Sequence, residues 1–199
     1  MHSTDRDYTH FFKLFFDHSM TPVFKLIYFD LPGRAEVVRL VLAQSGLPWE
    51  DIRLSSKEEF DAIKPKAPFG QLPILEFNGR TYAQTLSLCR FIARKSNLAG
   101  ENESNATECD MWVEYCMEAI VDNLKKDHAE GDEKEAAGRK FEATVPDVLE
   151  RVTKRLKEQK GNSFLVGRRI SWADIVLFHL LEWLVEDKPD ALDGMFVVV

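Results

Sequence analysis

The chain has 199 residues, 45% hydrophobic and 30% charged, and its 33 acidic against 26 basic side chains give a formal net charge of −7. That length allows one large domain or two small ones with a sizeable core; the acidic balance excludes the basic footprint of a nucleic-acid binder and disfavours an anionic membrane. Three cysteines, Cys89, Cys109 and Cys116, show no paired spacing, which suits a reducing, cytoplasmic setting with no disulfide and no metal site.

Residues 1–22 read as a disordered extension. Their apolar run, Phe11-Phe12-Lys13-Leu14-Phe15-Phe16, is short and accompanied by Asp5, Asp7 and Asp17 where a signal peptide would carry bases. From 23 to 97 the pattern is α/β in the order βαβαββα: strand 23–29, helix 34–44, strand 50–54, a short helix at 58–63, hairpin 74–82 and helix 86–96. Gly46-Leu47-Pro48 closes the first helix with a C-cap glycine and a following proline, and Asn78-Gly79 sets a two-residue hairpin. The polar stretch 98–105 reads as a linker. Beyond it, 106–199 is an all-helical domain, with helices over 106–128, 134–160 (interrupted near Pro146) and 171–186. Ser171-Trp172-Ala173-Asp174 is close to a capping box. The longest apolar run, 175–185, carries His179 and Glu182 and falls short of the roughly 20 residues of a membrane span, so it predicts a buried helix.

The most informative stretch is Ala67-Pro68-Phe69-Gly70-Gln71-Leu72-Pro73-Ile74-Leu75, followed by Gln84-Thr85-Leu86. Pro73 cannot donate to a ladder, so it belongs at a strand's first position, in a cis bend that exposes the Leu72 amide and carbonyl to an extended peptide. Gln84-Thr85 stands at a helix start, where free amides and the dipole favour a carboxylate and the Thr85 hydroxyl can cap or donate. Strand pairing beside an anion seat suits a small peptide ligand.

Together these motifs resemble the thioredoxin-fold domain of cytosolic glutathione transferases. Lys25-Leu26-Ile27-Tyr28-Phe29 and Gly33-Arg34-Ala35-Glu36 are most similar to the sigma class and related nematode enzymes. The resemblance implies a thioredoxin-like, glutathione-binding domain at 23–97 followed by an all-α domain. It also implies glutathione as co-substrate with no other cofactor, a hydrophobic electrophile as second substrate, and a cytoplasmic homodimer. A free thiol near pKa 8.5 is mostly protonated at neutral pH; the resemblance makes Tyr28 the catalytic group whose phenol donates to the sulfur and lowers that value. It places Arg34 beside the phenol, Phe60 and Lys64 at the glycyl end, Gly70, Gln71, Leu72 and Pro73 along the peptide, and Gln84 and Thr85 at the γ-glutamyl end.

The chain also departs from that pattern. Phe60 stands where the sigma class places a tryptophan, and it lacks the indole N–H. Thr85 replaces a serine but keeps the hydroxyl. Lys126 falls where an aspartate of the partner subunit meets the glutathione amino group; Asp127 is turned about 100° away, and Asp122 matches an acidic position or is a helix-surface acid. Trp112, Tyr115, Cys116 and Ala119 recur at helical spacing and either line a co-substrate pocket or, the preferred reading, pack the core. Family members continue past the point matching Asp190 into a further helix, whereas Gly194-Met195-Phe196-Val197-Val198-Val199 has no helical periodicity, so a shortened helical domain with an uncovered apolar surface is expected. Two alternatives stand beside the transferase: a weakly active or non-catalytic, crystallin-like ligand holder, and a glutathione-dependent isomerase of the prostaglandin type.

Overall fold

The computed structural model describes residues 23–159 and 163–193; the expected extension at 1–22 and the closing segment at 194–199 lie outside the described residues. Strand β1 (Phe24–Phe29) is the second of four in the order β2-β1-β3-β4. It pairs parallel with β2 (Trp49–Leu54) and antiparallel with β3 (Ile74–Phe77), which pairs with β4 (Arg80–Ala83). Strand β1 buries four of its six residues, as a strand with neighbours on both sides and cover on both faces does. Its one charge, Lys25, meets its register partner Glu50 across the ladder at 3.1 Å.

A 3₁₀ turn at Gly33–Ala35 leads into helix α1 (Glu36–Ser45), so the first helix is looser at its start than a single helix over 34–44. Gly46 at φ 67° ends it in the left-handed conformation that favours glycine. Helix α2 (Lys57–Ile63) is capped by Ser56, whose side chain accepts from the Glu59 amide, and α3 (Thr85–Lys95) follows β4.

Helix α4 (Glu103–His128) starts inside the stretch read as a linker, because the Asn102 side chain accepts from the Asn105 amide and nucleates the first turn early. Helix α5 (Gly131–Glu158) runs through Pro146 without the expected interruption. Proline removes one backbone bond there, but Val145, Val148, Leu149 and Val152 are buried around it and hold the helix in place. Helix α6 (Trp172–Asp187) carries a complete capping box: the Asp174 carboxylate accepts from the Ser171 amide and hydroxyl at 2.8 Å each, and from the Leu165 amide at 2.8 Å.

One hydrophobic core joins the two halves. Val38, Val41 and Leu42 of α1 and Leu88 and Ile92 of α3 share it with Val113 and Ile120 of α4 and Val176 and Leu180 of α6. The Trp172 amide donates to the Leu98 carbonyl at 2.9 Å, tying the start of α6 to the end of the first half. On the other sheet face a smaller cluster gathers Ile27, Leu54, Ala67 and Ile74, with Phe60 against it. Among the described residues no helix is long and apolar enough to cross a membrane.

Candidate functional site

Tyr28 ends up beneath the turn that follows β1. Its side chain is 8% exposed, and the Arg34 amide donates to its phenol oxygen at 3.2 Å. The oxygen therefore acts as an acceptor toward the protein, and the phenolic proton is free for another acceptor. Gly33 makes this closeness possible: it sits at φ 46°, and a Cβ there would meet Tyr28 Oη and Leu31 Cδ1, each at 2.8 Å.

The turn is braced by a residue that the sequence reading did not single out. Arg39 is buried; its Nη1 donates to the Leu31 carbonyl at 3.0 Å and the Pro32 carbonyl at 3.2 Å, and meets Glu36 at 2.9 Å, while Nε meets Asp51 at 3.1 Å. Its guanidinium lies 5.9 Å from the Tyr28 ring centroid. The available signal was a lone arginine inside the apolar run Val37-Val38-Arg39-Leu40-Val41, three residues after an acid.

At the start of α3, Gln84 takes φ 73° and caps nothing with its side chain. The Thr85 hydroxyl does not cap the helix either; it donates across to the Arg34 carbonyl at 3.1 Å. The first helical bond is Leu88 amide to Gln84 carbonyl at 3.0 Å, so the amides of Thr85, Leu86 and Ser87 precede the helical ladder, the arrangement that favours an anion at a helix start.

These groups open onto a cavity of about 730 Å³ between the first half and α4. Of the candidate residues it gathers Tyr28, Arg34, Gln84 and Thr85; opposite them stand Met117, Ile120, Val121, Leu124, Lys125 and His128. Phe60, Lys64, Gly70, Gln71, Leu72 and Pro73 do not line it. Phe60 and Lys64 are reached from Tyr28 through Phe29: the Phe29 ring lies 5.7 Å from Tyr28 and 5.6 Å from Phe60, and Lys64 Nζ lies 5.8 Å from the Phe60 centroid. The Lys64 side chain also passes the place where a Gly70 Cβ would stand, at 3.6 Å. The Leu72–Pro73 peptide is cis, and the Leu72 amide and carbonyl have no hydrogen-bond partner among the described residues.

The helical-half candidates fall differently. Cys116 and Ala119 are fully buried in the core, and the Tyr115 hydroxyl bonds to Asp147, so none of these lines the cavity, nor does Trp112. Asp122 is no surface acid: it is buried, with Lys140 Nζ 2.9 Å from its carboxylate. Lys126 turns away from the cavity to Asp187 at 2.7 Å and over the Phe141 ring at 5.3 Å. The cavity face was legible as the spacing Met117, Val121, Leu124, His128, which the core stripe masked. Burial pushes the Cys116 thiol up to about 12 and raises Cys89 and Cys109 as well, which leaves all three poor nucleophiles. Among the described residues no group of three or more His, Cys, Asp or Glu could hold a metal ion.

Comparison with known proteins matches residues 28–101 to a glutathione S-transferase N-terminal domain and residues 114–196 to a glutathione S-transferase C-terminal domain. Glutathione S-transferase 1 of Ascaris suum is 32% identical over 178 residues, covering 87% of this chain and 85% of that protein. The hematopoietic prostaglandin D synthase of Rattus norvegicus is 32% identical over 177 residues, 86% of this chain and 84% of the other. Among solved structures, a glutathione S-transferase from the hookworm Necator americanus, described as monomeric, superposes with a TM-score of 0.75 at 32% identity, over 86% of this chain and 85% of that one.

Proposed function

The chain belongs to the glutathione S-transferase family, and from that premise we propose that it activates the glutathione thiol with Tyr28 and conjugates it to hydrophobic electrophiles held against α4. The observation that carries this is the Tyr28 phenol, which accepts from the Arg34 amide and keeps its own proton for the cavity it lines. A phenol whose oxygen accepts a hydrogen bond becomes the stronger donor, and a thiolate gains most from such a donor. The thiol proton leaves to solvent, Tyr28 holds the anionic sulfur, and the sulfur attacks the electrophile.

In this reading the free Leu72 amide and carbonyl pair with the peptide, with Gln71 beside them, Lys64 and Phe60 flank the glycyl end beside Gly70, and Gln84, Thr85 and the first α3 amides receive the γ-glutamyl end. Arg34, exposed and without an ion-pair partner among the described residues, adds positive potential next to the sulfur. We take the protein to be a cytoplasmic homodimer, supported by three buried free cysteines and by Phe69 and Met111, which are 65% and 63% exposed. Isomerisation by the same thiolate is the second reading, favoured by the identity to the rat synthase.

Retention on a glutathione column, followed by aryl-halide conjugation, tests the proposal. Retention with turnover supports it; retention without turnover of an aryl halide turns the assignment to a ligand holder, and loss of both overturns it.

A further inference from the structure

The turn that brings the Arg34 amide to Tyr28 is held by a chain of charges set back from the cavity. Arg39 Nη1 donates to the Leu31 and Pro32 carbonyls at 3.0 and 3.2 Å, and Nη2 donates to the Phe29 carbonyl at 3.4 Å, so one guanidinium binds three carbonyls between the end of β1 and Gly33. Two carboxylates fix that guanidinium in turn: Glu36 of α1 at 2.9 Å and Asp51 of β2 at 3.1 Å. Asp51 Oδ2 also accepts from Arg53 Nε at 2.8 Å, and Arg53 Nη1 reaches Asp30, which follows β1, at 3.0 Å. The segment is therefore gripped on its carbonyls by Arg39 and on the Asp30 side chain by Arg53, and both arginines share one oxygen of Asp51.

Stability alone is a poor reason for this arrangement. Arg39 is 5% exposed, and an apolar side chain there would avoid the cost of taking a cation out of water. A guanidinium presents its donors in a rigid planar fork, so it fixes the directions of several acceptors at once. What those acceptors lead to is the phenol: Pro32 is followed by Gly33, at φ 46°, and then by Arg34, whose amide meets Tyr28 Oη at 3.2 Å. The Arg39 guanidinium itself stays 5.9 Å from the Tyr28 ring centroid and does not line the cavity.

We propose that Arg39 is a positioning residue for thiol ionisation: by fixing the Leu31 and Pro32 carbonyls it keeps the Arg34 amide on the Tyr28 phenol, and so sets how strongly that phenol donates to the sulfur. This rests on the transferase reading of the cavity. Arg39 touches neither glutathione nor the electrophile; it acts through Tyr28.

Absorbance of the bound glutathione thiolate against pH tests this in a cycle of Arg39→Met, Tyr28→Phe and the double variant. Arg39→Met should raise the pKa of the bound thiol by about half to one pH unit and lower kcat at neutral pH about three- to tenfold. The same change made in the Tyr28→Phe background should do nothing further, because the group it acts through is gone. Arg39→Lys, a point charge in place of the fork, should not restore the wild-type profile. An unmoved profile in Arg39→Met, an equal shift with and without the phenol, or full rescue by lysine overturns the proposal and leaves the transferase reading standing. If the wild type does not ionise bound glutathione more readily than water does, the transferase reading fails on its own, and the ligand-free protein decides the inference. There the Cζ resonance of 13C-labelled Tyr28, assigned by its loss in Tyr28→Phe, should move in Arg39→Met; an unmoved resonance overturns the clamp. Should Arg39→Met not fold, Asp51→Asn, which keeps the side chain's shape and removes the charge that both arginines share, takes its place in each measurement with the same outcomes.

Discussion

Thr85 donates its hydroxyl proton to the Arg34 carbonyl at 3.1 Å, across 51 residues of chain. The amide of the same Arg34 donates to the Tyr28 phenol at 3.2 Å. One residue's backbone thus holds the start of α3 on one side and the Tyr28 phenol on the other. On the proposed function, glutathione affinity and thiol activation would therefore share a support, although Tyr28 and Thr85 come from opposite ends of the first half.

If Tyr28 activates the thiol as proposed, replacing it with phenylalanine removes one hydrogen bond to a charged sulfur, a loss of about 1.5 to 3 kcal/mol. Turnover should drop roughly 10- to 100-fold while glutathione affinity changes little. The check is kcat together with the pH dependence of thiolate absorbance in the glutathione complex. A profile identical to the wild type's takes the role away from Tyr28.

The shared support predicts coupling. Thr85→Val deletes the bond to Arg34 while keeping the side chain's shape, so it should weaken glutathione binding and also lower kcat by loosening the segment that holds Tyr28. In a cycle with Tyr28→Phe the two effects should fail to add by about 0.5 to 1 kcal/mol, as for groups in one hydrogen-bond network. Thr85→Ser, which retains the hydroxyl, should behave as wild type. Strict additivity would mean that the two groups act independently.

Gly33→Ala tests the close approach of the turn to the phenol. The new Cβ would stand 2.8 Å from Tyr28 Oη at a backbone φ of 46°. The left-handed conformation alone costs about 1 to 2 kcal/mol, and the contact forces either Tyr28 or the turn to move. A lower melting temperature and a kcat loss at least as large as that of Tyr28→Phe are expected. Wild-type melting and turnover would show that the turn yields without disturbing the phenol.

How much of this was legible in the sequence depends on the range of the force involved. The Asn78-Gly79 hairpin, with Phe77 opposite Arg80, the bend at Pro73 and the Ser171–Asp174 box are local, so residues a few positions apart sufficed. Pro146 is the reverse case, a local rule overridden by valine and leucine packing on either side. Arg39, Asp122 and Lys126 were out of reach because their partners, Asp51, Lys140 and Asp187, lie 12, 18 and 61 residues away. Helix α4 is apolar on a core face and on a cavity face, and periodicity marks stripes without saying which one meets the rest of the protein.

His179 should make stability fall in mild acid. The ring is fully buried on α6, 4.2 Å from the Trp183 ring centroid, and neither nitrogen has a hydrogen-bond partner. Glu182 stands 3.9 Å from Nδ1, and Glu36 of α1 adds a weak opposing field. Burial pushes the imidazole down to about 4, from 6.5 in an exposed histidine. Between those values the unfolded chain takes up a proton that the folded protein refuses. The contribution of neutral His179 is therefore complete above about pH 6.5 and is lost as pH falls toward 4, by up to about 3 kcal/mol. His179→Leu removes the titration while keeping an apolar side chain against Trp183. Urea unfolding of both proteins from neutral pH down to pH 4 should show a steeper loss in the wild type than in the variant. Parallel curves would mean that the buried imidazole finds a partner or solvent when it is charged.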